Sequence, residues 1–155
     1  MNELSDLIAP EAILSRLAAA SRRQALQAMA DALAKSASIE PRAVFEAVLM
    51  RERLSGTGMG EGVAIPHAPV SGVTRPLGAF ARLETPQDFD ALDRRPADLV
   101  FMLLAPPDKG ADYLKALAKV SRLMRRADVR EKLRAARGAD ELYALFTSAA
   151  HSDAA

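Results

Sequence analysis

Apolar residues recur along this chain with two alternating periods. Leu4, Leu7 and Ile8 open a short apolar segment that Pro10 is expected to interrupt, and Ile13, Leu14 and Leu17 follow as a short strand or turn packed on the core. Helical spacing begins after Ser21, a residue type suited to cap a helix N-terminus. Ala25, Leu26, Met29 and Leu33 fall on one face, and Arg22, Arg23 and Lys35 fall elsewhere, on a solvated face. Pro41 is a good first residue for a second helix, in which Val44, Phe45, Val48 and Leu49 form the buried stripe. Arg51, Glu52 and Arg53 crowd the end of that helix, where cations complement the helix dipole. Val63, Ala64 and Ile65 read as a buried strand end, and Ala68 to Gly72 as a loop. Leu77, Ala79, Ala81 and Leu83 alternate with Gly78, Phe80 and Arg82, the pattern of a strand. Thr85 to Pro96 reads as a polar connection containing Pro86, Phe89 and Leu92. Leu99 to Leu104 is continuously apolar, as a central strand covered on both faces must be, and Ala105-Pro106-Pro107-Asp108 stops it. A helix with Leu114, Leu117, Ala118, Ser121 and Met124 on its core face is expected next. Two shorter helices, near Val129 to Ala136 and Ala139 to Ser148, close the pattern, and Ala149 to Ala155 reads as a frayed tail.

Helices before, between and after strands predict an α/β fold: a single domain over residues 1–148, with a mixed central β-sheet flanked by helices on both faces. The 155 residues suffice for one real core. A net charge of +1 points to no general electrostatic partner such as nucleic acid or an anionic membrane. Arg122, Arg125, Arg126, Arg130, Lys132, Arg134 and Arg137 lie around helices, are balanced by Asp128 and Glu131, and lack interleaved aromatics; they read as a solvated face. The absence of cysteine excludes disulfides and thiolate chemistry, and one usable histidine gives no metal cluster, so no cofactor or metal is expected. His151 sits among small residues near the end of the chain and reads as exposed. No apolar run is long enough to span a bilayer and the N-terminal MNELSDLIAPE is acidic, so a cytoplasmic protein is expected.

The chemistry concentrates in Thr57 to His67, TGMGEGVAIPH. Gly58, Gly60 and Gly62 bare the backbone to a ligand. Pro66 fixes its own φ immediately before the imidazole of His67. Arg51 lies six residues before Thr57. A histidine nucleophile, exposed amides and an arginine are the parts needed to take up and hold a phosphoryl group. By spacing alone the same stretch is also an ordinary polar turn, because short motifs recur by chance.

Residues 51–67, RERLSGTGMGEGVAIPH, resemble the active-site segment of the enzyme IIA domains of the bacterial phosphotransferase system, in the fructose/mannitol/nitrogen-regulatory superfamily. The pattern is an arginine-glutamate pair, a Thr-Gly-x-Gly-x-Gly turn and an apolar-Ala-Ile-Pro-His ending. VFEAVLMRERL before it, LETPQDFDALDRRPADLVFMLLAP after it and LRAARGADELYALF near the end extend the resemblance over nearly the whole chain. It implies His67 as phosphoryl acceptor through Nε2, Arg51 as the stabiliser of the bound phosphate, and an HPr-like phosphocarrier protein as donor. Thr57, Gly58, Gly60 and Gly62 are the candidates for the phosphate loop.

One position departs from the pattern. Many members carry a second histidine at the start of the helix after the central strand; Tyr113 stands there in GADYLKALAKV. A tyrosine can donate a hydrogen bond to phosphate but does not share a proton near neutrality. It reads equally as a half-buried packing residue. Ser55-Gly56 before Thr57 is a smaller departure, expected to affect loop shape only. EAVLMRERL, LETPQDFDALDRRPADLVF and GADELYALF look most like the nitrogen-regulatory branch, which acts on regulatory protein partners according to its phosphorylation state. Two alternatives stay open: a sugar-specific IIA feeding a fructose/mannitol-type permease, and a regulatory binding module that works without phosphorylation.

Overall fold

Among the described residues, six strands and six helices follow one another as the apolar periods require, with some shifted boundaries. The structure, a computed structural model, describes residues 4–154, with side chains described through residue 148. In order the elements are α1 (Leu4–Leu7), β1 (Ile8–Leu17), α2 (Arg22–Ala37), α3 (Pro41–Leu54), β2 (Gly58–Gly60), β3 (Val63–Ala64), β4 (His67–Pro69), β5 (Leu77–Gln87), β6 (Ala97–Ala105), α4 (Gly110–Met124), α5 (Ala127–Ala135) and α6 (Ala139–Ala154). The sheet runs β1-β5-β6-β3-β2, with β4 also paired to β6. β1 is parallel to β5, β5 antiparallel to β6, β3 and β4 parallel to β6, and β2 antiparallel to β3. The sheet is therefore mixed, as expected.

Side-chain alternation sorts the core into two layers. Ala79, Ala81, Val100, Met102 and Leu104 face the layer containing Leu26, Met29 and Leu33 of α2 and Val44, Phe45 and Val48 of α3. Phe80, Leu99, Phe101 and Leu103 face the other, with Ala116, Val120 and Leu123 of α4, Leu133 of α5, and Leu142 and Phe146 of α6. Gly78 makes room for the Phe101 ring, from which a Cβ there would lie 2.7 Å. Phe146 lies edge-on to Phe80 and Phe101, with ring centroids 4.9 and 5.6 Å apart.

The capping signals act where they were read. Ser21 Oγ accepts the Gln24 N–H at 3.1 Å and starts α2. Pro41 occupies the first turn of α3, behind Glu40, whose carboxylate accepts the Arg42 N–H.

Four expectations need correction. β1 continues as a strand through Pro10 to Leu17, but its pairing with β5 jumps from Ile8–Gly78 to Ile13–Phe80, so Pro10 sits in an irregular stretch of an edge strand, where prolines are tolerated. Ala68 and Pro69, expected to open a loop, join His67 in β4 beside β6, with His67 opposite Leu103. β5 extends to Gln87, which pairs with Ala97 across a register shift, so Thr85 and Pro86 belong to a strand. The buried face of α4 is Tyr113, Ala116, Val120, Leu123 and Met124, while Leu114 is exposed. Turning the helix this way buries the tyrosine ring and β-branched Val120. Residues 149–154 of the expected tail fall within the span of α6, and the side chains after residue 148, His151 included, lie outside the described residues.

Candidate active site

His67 is the first residue of β4, two residues before that strand ends beside Ala105 of β6. Pro66 directs it there: the Pro66 carbonyl accepts the Leu103 N–H at 2.9 Å, which ties the residue before the histidine to the central strand. The half-buried ring has its Nδ1 2.7 Å from the Ile65 carbonyl oxygen. A carbonyl only accepts, so Nδ1 carries the proton and Nε2 carries the lone pair. Among the described residues, no fully buried side-chain nitrogen or oxygen lacks a hydrogen-bond partner. Nε2 makes no such bond, so it reaches solvent.

Three further groups gather at this end of β6. Arg51, in the last turn of α3, donates through Nη1 to the Ser55 carbonyl at 2.7 Å, which pins the guanidinium and leaves further N–H donors free. Tyr113, one turn into α4, is 6% exposed, so the ring packs in the core. Its hydroxyl makes no hydrogen bond and, by the argument used for Nε2, reaches the surface. Lys109 precedes α4 with a left-handed backbone, φ +64°, held by a bond from its N–H to the Pro106 carbonyl. Burial holds the His67 pKa below its ordinary value, and the positive charges of Arg51 and Lys109 push the same way. The bond to Ile65 opposes this, because a charged ring donates more strongly. Burial raises the Tyr113 hydroxyl against a weaker pull from Arg51, which keeps it protonated and able to donate. The arrangement is a neutral nucleophilic imidazole beside two cations and a phenol.

The glycine-rich stretch lies elsewhere. Gly58 pairs with Ala64 and Gly60 with Val63, while the Gly62 carbonyl accepts from Asp98 and Leu99 at the start of β6. His67 is level with Leu103. Four residues of strand separate the two levels, about 13 Å at the usual rise. The fold thus does not bring Gly60 and Gly62 to the histidine, and their positive φ values, 94° and 79°, serve the turn between β2 and β3. The Gly58 N–H is already committed to the Phe89 carbonyl at 2.9 Å. Thr57 is buried, and its N–H and hydroxyl both donate to Glu52. Gly56, expected to affect loop shape only, is held by close approach: a Cβ there would run into the Phe89 carbonyl and sit 2.5 Å from Asp90 Cβ.

Over residues 6–149 the sequence matches the family described as "Phosphoenolpyruvate-dependent sugar phosphotransferase system, EIIA 2". This chain belongs to that family. It is 49% identical over 143 residues to a nitrogen regulatory protein of Bradyrhizobium diazoefficiens, covering 92% of this chain and 94% of that one. It is 40% identical over 146 residues to a nitrogen regulatory protein of Escherichia coli, covering 94% and 90%. The crystal structure of nitrogen regulatory protein IIA-Ntr from Neisseria meningitidis superposes with a TM-score of 0.86 at 32% identity, covering 93% of this chain and 99% of that one. Among the branches of the EIIA family, the chain is most like the nitrogen-regulatory one.

Two groups of this region were given no role from sequence. Lys109 was passed over within the polar stretch after β6; its signal was proximity to the strand end that carries the site. Glu52 entered only as the glutamate of the motif's arginine-glutamate pair and as one of three charges crowding a helix end, with no role of its own. Its burial, at 3% exposure, was signalled only by its place in the Val44–Val48 stripe, four residues after Val48.

Proposed function

We propose that this protein is a cytoplasmic phosphohistidine carrier that accepts a phosphoryl group on His67 Nε2 from an HPr-like phosphocarrier protein and regulates partner proteins through its phosphorylation state. The observation that carries this reading is the Nδ1–H bond to the Ile65 carbonyl, which leaves Nε2 unprotonated and at the surface. In the transfer, the Nε2 lone pair forms a bond to phosphorus as the phosphorus–nitrogen bond of the donor's phosphohistidine breaks, and that bonding pair returns to the donor ring. Positive charge develops on the His67 ring, and the Nδ1–H bond to Ile65 strengthens with it. Arg51 and Lys109 offset the charge of the phosphoryl oxygens, and the Tyr113 hydroxyl can donate to one of them. The added charge, about −1.5 to −2 near neutrality, lands on a chain of net charge +1 and changes the local field a partner meets.

The test is phosphotransfer from phosphoenolpyruvate through purified general components, read by intact mass and mapped under conditions that spare phosphohistidine. One phosphate on His67 is expected. A folded protein that takes none from active donors of both the sugar and nitrogen types would favour the phosphorylation-independent binding module instead.

The pH dependence follows from the depressed His67 pKa. The acid limb of the transfer rate is expected to lie below about 6.5, the value for an unperturbed imidazole. Between the native pKa and that value the unfolded chain binds more protons, so stability contributed by His67 is complete above about pH 6.5 and is lost as pH falls toward the native pKa. A pH–rate profile with a parallel titration of the His67 ring signals checks both. An acid limb above 6.5 would contradict the assignment of a buried neutral ring.

A further inference from the structure

Glu52 and Thr57 are the buried polar residues among those described, and they hold each other. Glu52 Oε2 accepts the Thr57 N–H at 2.9 Å, and Oε1 accepts the Thr57 hydroxyl at 2.6 Å. The bonds continue beyond this pair. The Thr57 carbonyl accepts the Ile65 N–H at 3.0 Å, and the Ile65 carbonyl accepts the His67 Nδ1–H at 2.7 Å. A buried carboxylate is thus joined to the imidazole through the backbone of two residues. The carboxylate is held from behind as well: Arg22 Nη1 lies 3.6 Å from Glu52 Oε2 and 2.9 Å from Asp90 Oδ2.

We infer that Glu52 is a positioning residue for His67, acting through Thr57 and Ile65 to keep the imidazole proton on Nδ1. The direction of the Ile65 carbonyl selects the tautomer, because only a ring with its proton on Nδ1 can donate to it. That carbonyl belongs to a short stretch fixed at one end by Pro66 on Leu103 and at the other by the Ile65 N–H on Thr57. Thr57 in turn has two donors anchored on one carboxylate. Remove the carboxylate and both Thr57 donors must find other partners, which turns the Thr57 carbonyl away from Ile65. The two neutral tautomers of an imidazole are close in energy, so a modest loss at Ile65 places the proton on Nε2 and removes the nucleophilic lone pair. The functional consequence rests on the reading of His67 as phosphoryl acceptor; the effect on the tautomer does not.

The test measures imidazole 15N chemical shifts of His67 above its pKa, in the intact chain, together with the single-turnover phosphotransfer rate. In the unsubstituted protein Nδ1 will show the shift of a protonated ring nitrogen and Nε2 that of an unprotonated one. In Glu52→Ala the preference for the Nδ1 proton should fall about tenfold, as expected for loss of one net hydrogen bond, and transfer should slow with it. Glu52→Gln should restore both, since its amide can accept the Thr57 N–H and donate to the Thr57 hydroxyl oxygen. A folded Glu52→Ala protein with unchanged 15N shifts would overturn the inference, because a purely structural role lowers stability without moving the tautomer. If Glu52→Ala fails to fold, Thr57→Val decides, since it deletes only the 2.6 Å bond. A weakened Nδ1 preference supports the inference and an unchanged one overturns it. A protein that takes no phosphate yet shows the shifts described would defeat the carrier reading alone.

Discussion

His67→Ala protein will take up no phosphoryl group while remaining folded. Among the described residues no other histidine stands beside Arg51, Lys109 and Tyr113, and His67 Nε2 is the only ring nitrogen of this cluster free to attack phosphorus. The substitution leaves the Ile65 carbonyl without its side-chain donor, at a cost of about 1 kcal/mol. That is small beside the roughly 5–15 kcal/mol of a domain's stability, and water can reach the vacated site. Intact mass after incubation with active phosphorylated donor, alongside a urea melt, separates lost chemistry from lost structure. A single phosphate retained on folded His67→Ala protein would place the acceptor elsewhere.

Phe146→Ala will destabilise the fold by about 3–5 kcal/mol, the range for deleting a buried phenyl ring. Phe146 is 1% exposed and lies edge-on to two strand residues, Phe80 of β5 and Phe101 of β6. It fixes α6 to the centre of the sheet, and α6 also contacts β1 and α5. Losing the ring removes both aromatic contacts and leaves a void between β5, β6 and α6 that rigid strands cannot fill. The midpoint of a urea transition should fall with little change in slope. A loss below about 1 kcal/mol would mean that α6 lies outside the cooperative core.

The parts of this fold that could be read ahead are those governed by local chemistry. Ser21 and Pro41 mark helix starts through bonds made within one turn, and Leu99 to Leu104 is buried on both faces because every residue in it is apolar. What was misread depends on partners distant in sequence. Pro10 does not end β1, although the pairing with β5 shifts register around it, because β1 is at the edge, which only the strand order decides. β4 exists because Leu103 to Ala105 lie beside it. The core face of α4 was assigned to Leu114, Leu117, Ala118, Ser121 and Met124; Met124 is buried, but the helix also buries Tyr113 and Val120 and leaves Leu114 in solvent. Of the candidate site residues, the fold brings His67 and Arg51, read from the motif, together with Tyr113. The glycines were legible as unusual backbone but not as to purpose. Close approach by Phe89, Asp90 and Ala91 occupies the first two, Gly56 and Gly58, and the β2–β3 turn uses Gly60 and Gly62. Glu52 was legible as the glutamate of the motif's arginine-glutamate pair but not as a buried group, because a carboxylate between two arginines reads as surface charge, whereas its bonds to Thr57 and the nearby Arg22 hold it inside.

The order of strands also governs how this molecule can meet others. Its sheet ends on one side at β1, which carries Pro10, irregular register on both sides of Ile13–Leu14 and the exposed Glu11 and Arg16, and on the other at the three-residue β2. Neither rim offers the long, flat row of free amides and carbonyls on which a foreign strand could assemble. Crowded copies of the chain are therefore protected against joining rim to rim into fibrils. What the molecule offers to a partner protein is side chains and charge, not an edge to extend.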